Sequence, residues 1–150
     1  MQEVIKSSAL GVERPASESN DCTVRALANA YNMPYGLSHR IFSKAGREQG
    51  KGVKCSVTHA TYTRLGFELI GIYGDTVKAK YLSRYVVKIQ RNKGITLKNI
   101  MPQLQQGRYI VGIRGHVFAV VDGQILDYGH NYANSRVVEV YRLNTQHVVF

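Results

Sequence analysis

The dipeptide Asp122–Gly123, set between GHVFAVV and QILD, constrains this chain more than any other feature. Asp–Gly flanked by apolar runs is the strongest short-range signal for a two-residue hairpin, because both central positions of a type I′ turn need positive φ. Closing the turn between Val121 and Gln124 fixes the pairing of both strands: Phe118 falls opposite Asp127, and His116 opposite Gly129. Side chains alternate along a strand, so residues 116, 118 and 120 share a face with 125, 127 and 129. Asp127 is then the diagonal neighbour of His116, within side-chain reach. A carboxylate placed there can take the Nδ1–H hydrogen bond, fix the tautomer and stabilise an imidazolium. Asp122, by contrast, serves the turn.

The stretch SNDCTVRALANAY, residues 19 to 31, reads as a helix. Asn20 and Asp21 are strong N-caps, and Val24, Leu27, Ala28 and Tyr31 form one apolar stripe at i, i+3, i+4 and i+7. Asn32 and Pro34 end it, since the residue before a proline leaves the α region. Cys22 falls in the first turn, where unsatisfied N–H groups and the positive end of the macrodipole favour a thiolate. A cysteine is usually a buried structural residue. Cys22, however, points away from the stripe, over the small residues Ala26, Asn29 and Ala30, and is a candidate nucleophile.

Residues 1 to 18 form a polar lead-in with a short strand at Val4–Ile5. Further helices are expected from Leu37 to Ala45, burying Leu37, Ile41 and Ala45 with Phe42 alongside, and from Ser56 to Leu65, burying Val57, Ala60, Thr61 and Leu65. GREQGKG (46–52) is a surface loop, and Gly66 closes the third helix. FELIGIY (67–73) and RYVVKI (84–89) read as strands, rich in β-branched and aromatic residues. A short helix near Asn99–Gln106 follows, with Pro102 in its first turn and Gly107 closing it. RYIVGI (108–113), HVFAVV (116–121), QILD (124–127) and RVVEVYR (136–142) complete an antiparallel meander. Helices first and strands after point to α+β, in a single domain over 1–150.

Of the net charge of +10, the segment 76–121 contributes +9, because its nine bases meet no acid. Lys78, Lys80, Arg84, Lys88, Arg91 and Lys93, with Tyr81 and Tyr85 among them, are the candidate anion-binding residues. Such a stretch suits phosphates and stacked bases, an acidic protein, or plain solvation. Cys55 and His59, at i and i+4, are a weaker rival to Cys22 and His116, with no third group to orient the imidazole. No two ligands recur at zinc spacing, so neither a metal nor a cofactor is expected. The N-terminus holds no long apolar run, and no segment reaches the roughly 20 apolar residues of a membrane span. Two cysteines without an export signal read as free thiols of a cytoplasmic protein away from membranes.

A Cys opening a helix, a His starting a strand some ninety residues later and an Asp on the next strand follow the chain order of the papain-like cysteine peptidase superfamily. NDCTVRALANA and GHVFAVVDGQILD resemble its small members: bacteriocin-processing peptidase domains, Josephin-type deubiquitinases and compact bacterial or phage proteins. The resemblance implies a papain-like fold, with the Cys22 helix packed on a C-terminal antiparallel sheet. It also implies Cys22 as nucleophile, His116 as general base and Asp127 as orienting acid. The superfamily usually places a Gln five or six residues before the Cys to bind the oxyanion; Ala16 and Ser17 stand there instead. Ser17, Ser19 or Asn20, with the Cys22 N–H, are the candidate replacements.

The expected activity is hydrolysis of an amide, peptide or isopeptide bond through a thioester, on a protein or peptide substrate. Two alternatives use the same fold. One is a non-catalytic basic protein that binds nucleic acid or an acidic protein; the other is an acyltransferase with the same three residues.

Overall fold

The computed structural model describes residues 4–5, 20–73, 77–82, 95–127 and 132–144. Its helices are α1 (Cys22–Tyr31), α2 (Tyr35–Lys44), α3 (Cys55–Arg64), α4 (Val77–Leu82) and α5 (Leu97–Ile100), with a 3-10 turn at Met101–Leu104. Its strands are β1 (Val4–Ile5), β2 (Phe67–Ile72), β3 (Arg108–Ile113), β4 (His116–Val121), β5 (Gln124–Leu126) and β6 (Val137–Leu143). They form one sheet in the order β1-β5-β4-β3-β6-β2. All neighbours are antiparallel except β1, which runs parallel to β5. The class is α+β, as the succession of helices and strands predicts. The strand expected at 84–89 lies outside the described residues, and the six-residue helix α4 just before it was not foreseen.

Both faces of the sheet are covered. Ile110, Val117 and Ala119 belong to the core that holds α1, whereas their alternating neighbours Val111, Phe118 and Val120 belong to the core that holds α5 and the 3-10 turn. That is the period of two expected of strands buried on both sides. The helix expected at 99–106 divides into α5 and the 3-10 turn, and Pro102 falls in the first positions of that turn.

The hairpin between β4 and β5 has the register its turn dictates: Val121 pairs with Gln124, Val120 with Ile125 and Ala119 with Leu126. Asp122 and Gly123 take φ of 48° and 81°, the two positive values of a type I′ turn. Asp122 also ties the turn to the start of β3. Its Oδ1 accepts the Gly107 N–H at 2.9 Å, and its own N–H donates to the Gly107 carbonyl at 2.9 Å. Asp122→Ala should therefore cost about 1 kcal/mol of stability, read by urea unfolding, and leave Cys22 reactivity intact.

The helices depart from the expected faces in an instructive way. Ala26 and Asn29 are 1% exposed and Ala30 0%, so the lane beneath Cys22 is as buried as the apolar stripe. The helix α1 touches α2, β3 and β4, and is a central helix rather than a surface one. Asp21 makes no side-chain cap, because its carboxylate is used elsewhere. Asn32 does end the helix, in the left-handed region at φ 69°. Pro34 is the N-cap of α2, which therefore starts two residues early and buries Tyr35, Ser38 and Phe42. Ser38 Oγ donates to the Val24 carbonyl at 2.7 Å, turning a polar residue inward and leaving Leu37 40% exposed. In α3 the inward residues are Thr58, His59, Thr61 and Tyr62 rather than Val57, Ala60 and Leu65. Tyr62 packs edge-on against both Phe42 and Tyr141, and aromatic volume sets that face.

Candidate active site

Cys22 is the first residue of α1, His116 the first of β4, and Asp127 follows the last residue of β5. The hairpin register puts the carboxylate beside the imidazole, with Asp127 Oδ2 2.5 Å from His116 Nε2. The nitrogen is Nε2 rather than the expected Nδ1. Cys22 and His116 line the same cleft, within electrostatic range of each other. Burial pushes the thiol up, but the His116 hydrogen bond, the Val117 N–H and the charges of His116 and Arg25 outweigh it, so its pKa is lowered. Burial likewise disfavours the imidazolium, yet the Asp127 and Cys22 hydrogen bonds raise His116 to about 9. Both shifts run in the direction that favours a thiolate beside an imidazolium.

Four residues that sequence reasoning missed hold this arrangement. Asp127 is 2% exposed. Its Oδ1 accepts from Arg25 Nη1 at 2.6 Å, and its Oδ2 accepts from the Tyr132 hydroxyl at 2.8 Å as well as facing His116. Arg25 Nε reaches Asp21 Oδ1 at 3.1 Å, and the Tyr35 hydroxyl donates to Asp21 Oδ2 at 2.9 Å. A chain of side chains thus runs from Tyr35 through Asp21, Arg25 and Asp127 to His116 and Cys22. Tyr132 also stacks on Phe118 at 4.8 Å and lies 5.4 Å from the His116 ring, giving the imidazole an apolar wall. Asp21 and Arg25 carried a local signal, an acid four residues before a base on a helix. Tyr35 and Tyr132 carried none.

The thiol and imidazole line a cleft of about 720 Å³, together with Asn20, Lys78, Arg114 and the glycines 52 and 115. Asn20 lies at its rim with φ 51°, and its Nδ2 donates to the Gly50 carbonyl at 2.9 Å. That contact engages one amide hydrogen of this oxyanion candidate and leaves the other. Ser17 and Ser19 lie outside the described residues, as do Arg84, Lys88, Arg91 and Lys93. Lys80 is exposed. Lys78 is not simply a surface cation: its ammonium pairs with Glu139 of β6, which is 1% exposed. Glu139 occupies the space left by Gly112 on the neighbouring strand, where an added Cβ would come within 1.8 Å of Oε1. Burial raises the Glu139 carboxyl, against the pull of Lys78.

The rival pair, Cys55 and His59, sits in a different electrostatic setting. His59 Nδ1 is 2.8 Å from the Tyr141 hydroxyl, and burial lowers its pKa. Cys55 is raised by burial, the opposite direction to Cys22. Among the described residues no helix is long and apolar enough to cross a membrane.

Compared with family models, with curated proteins and with solved structures, this chain matches none.

Proposed function

We propose that the protein is a papain-like cysteine hydrolase that cleaves an amide, peptide or isopeptide bond through a thioester. The observation that carries this reading is that Cys22 and His116 line one cleft, with Asp127 bonded to the imidazole and Arg25 behind the carboxylate. The Cys22 thiolate attacks the acyl carbon, and the C–N bond breaks as the His116 imidazolium gives its proton to the leaving amine. His116, now neutral, takes a proton from water as it attacks the thioester, and the carboxylic product leaves with the thiolate regenerated. The Cys22 N–H, in the first turn of α1, and the second Asn20 amide hydrogen are the donors for the oxyanion.

The test is trapping of the acyl-enzyme. An activated acyl thioester should add one acyl mass to Cys22, absent in Cys22→Ala. Acylation of Cys55 as fast as Cys22 in the folded protein would sink the proposal. Turnover should decline as pH rises through about 9, because His116 then loses the proton that the leaving group needs. Below that limb, activity should persist to pH values under the ordinary thiol range, since the thiol is lowered.

Asp127→Asn keeps an oxygen acceptor for the imidazole but removes the negative charge between His116 and Arg25. It should retain measurable turnover with the basic limb moved to lower pH. Asp127→Ala should lose far more, since both the imidazole and the guanidinium are released. Comparable turnover for the two variants would argue that Asp127 does not orient His116.

A further inference from the structure

The cleft has an electrostatic asymmetry that the hydrolase chemistry does not require. Its charged lining residues are His116, Lys78 and Arg114, and among the described residues no Asp or Glu lines it. Arg114 stands in the two-residue turn between β3 and β4, exposed, and makes no ion pair among the described residues. Lys78 is held differently. One of its three donors is fixed by the buried Glu139, which anchors a flexible side chain at the cleft wall and leaves the other donors directed elsewhere. A carboxylate so buried, in a slot that only a glycine at 112 leaves open, is costly to build. Its effect is to keep an ammonium in one place on the wall of the cleft that Cys22 also lines.

Resting on the hydrolase reading, we infer that Lys78 and Arg114 form an anion subsite, and that the substrate carries a carboxylate close to the bond attacked by Cys22. Two cations lining one cleft, one of them anchored, attract such a group more strongly than isolated charges in bulk solvent. An acidic side chain and a free C-terminal carboxylate share this chemistry.

The experiment compares two alkylating agents of equal size, iodoacetate and iodoacetamide, on Cys22 of the full chain, located by peptide mapping. The ratio of the anionic to the neutral rate is referred to free cysteine, which cancels intrinsic reactivity. The wild-type ratio should exceed that of free cysteine, and Arg114→Gln should lower it roughly twofold to fivefold. Lys78→Met paired with Glu139→Gln should lower it as well; the paired change avoids stranding the buried carboxylate. High salt should narrow all these differences. A wild-type ratio equal to that of free cysteine, or one that neither variant moves, overturns the subsite while leaving a reactive Cys22. Failure of Cys22 to react with either reagent overturns the hydrolase reading and the subsite with it. Acetyl-Asp and acetyl-Asn chloromethyl ketones then separate the carriers. Faster labelling by the Asp reagent assigns the charge to the acyl residue. Equal rates, with the iodoacetate preference intact, assign it to the leaving side, as in a free C-terminal carboxylate.

Discussion

Arg25→Met is expected to destabilise the folded protein by about 3–5 kcal/mol in urea unfolding, more than any single change at Cys22 or His116. Among the described residues the Arg25 guanidinium pairs with both Asp21 and Asp127, and these carboxylates are 1% and 2% exposed. Removing it takes a cationic partner from two buried carboxylates at once. Met fills much of the same volume, so the loss would report charge rather than a cavity. Tyr35→Phe deletes only one hydrogen bond to Asp21 and should cost roughly 1.5–3 kcal/mol, the range for a bond to a charged group. If Arg25→Met unfolds at wild-type urea, the buried pairs contribute nothing net, and the argument that Arg25 positions Asp127 fails with them.

The second large effect concerns the thiols. At pH 6, Cys22 should react with iodoacetamide at least about tenfold faster than Cys55, because one thiol is lowered and the other raised. His116→Ala should erase most of that advantage, leaving the Cys22 sulfur with burial, which opposes the thiolate, and only the Val117 N–H and Arg25 to favour it. Peptide mapping after limited alkylation gives both rates in one sample. Equal rates for the two cysteines in the folded wild type would mean that no thiolate–imidazolium pair exists.

Much of the site was legible because two local rules fixed it. Asp–Gly can close a hairpin in only one register, so Asp127 had to fall near His116; a helix N-cap signal set Cys22 in a first turn. Neither rule says which imidazole nitrogen meets the carboxylate. That choice follows from where α1 lies against the sheet, a tertiary matter, and the expectation of Nδ1 failed there. The Arg25–Asp127 pair joins residues 102 apart, and no local pattern encodes such a contact. Helix faces were misread for a related reason. In α2 and α3 the aliphatic stripe competes with Tyr35, Phe42 and Tyr62, and the larger rings took the interior while Leu37 stayed out. Charge was misread at Lys78: counted as one of nine unopposed bases along the sequence, this residue of α4 meets its acid 61 positions later, on strand β6.

The slot at Gly112 has a consequence for how this protein can change over time. Any side chain at 112 would collide with Glu139, and shortening Glu139 alone would open a void beside an unpaired Lys78. The two positions behave as one heritable unit with the lysine as its third member. Descendants of this chain should therefore either keep Gly112, Lys78 and Glu139 together or lose them together, and an intermediate with only one of them altered should be rare.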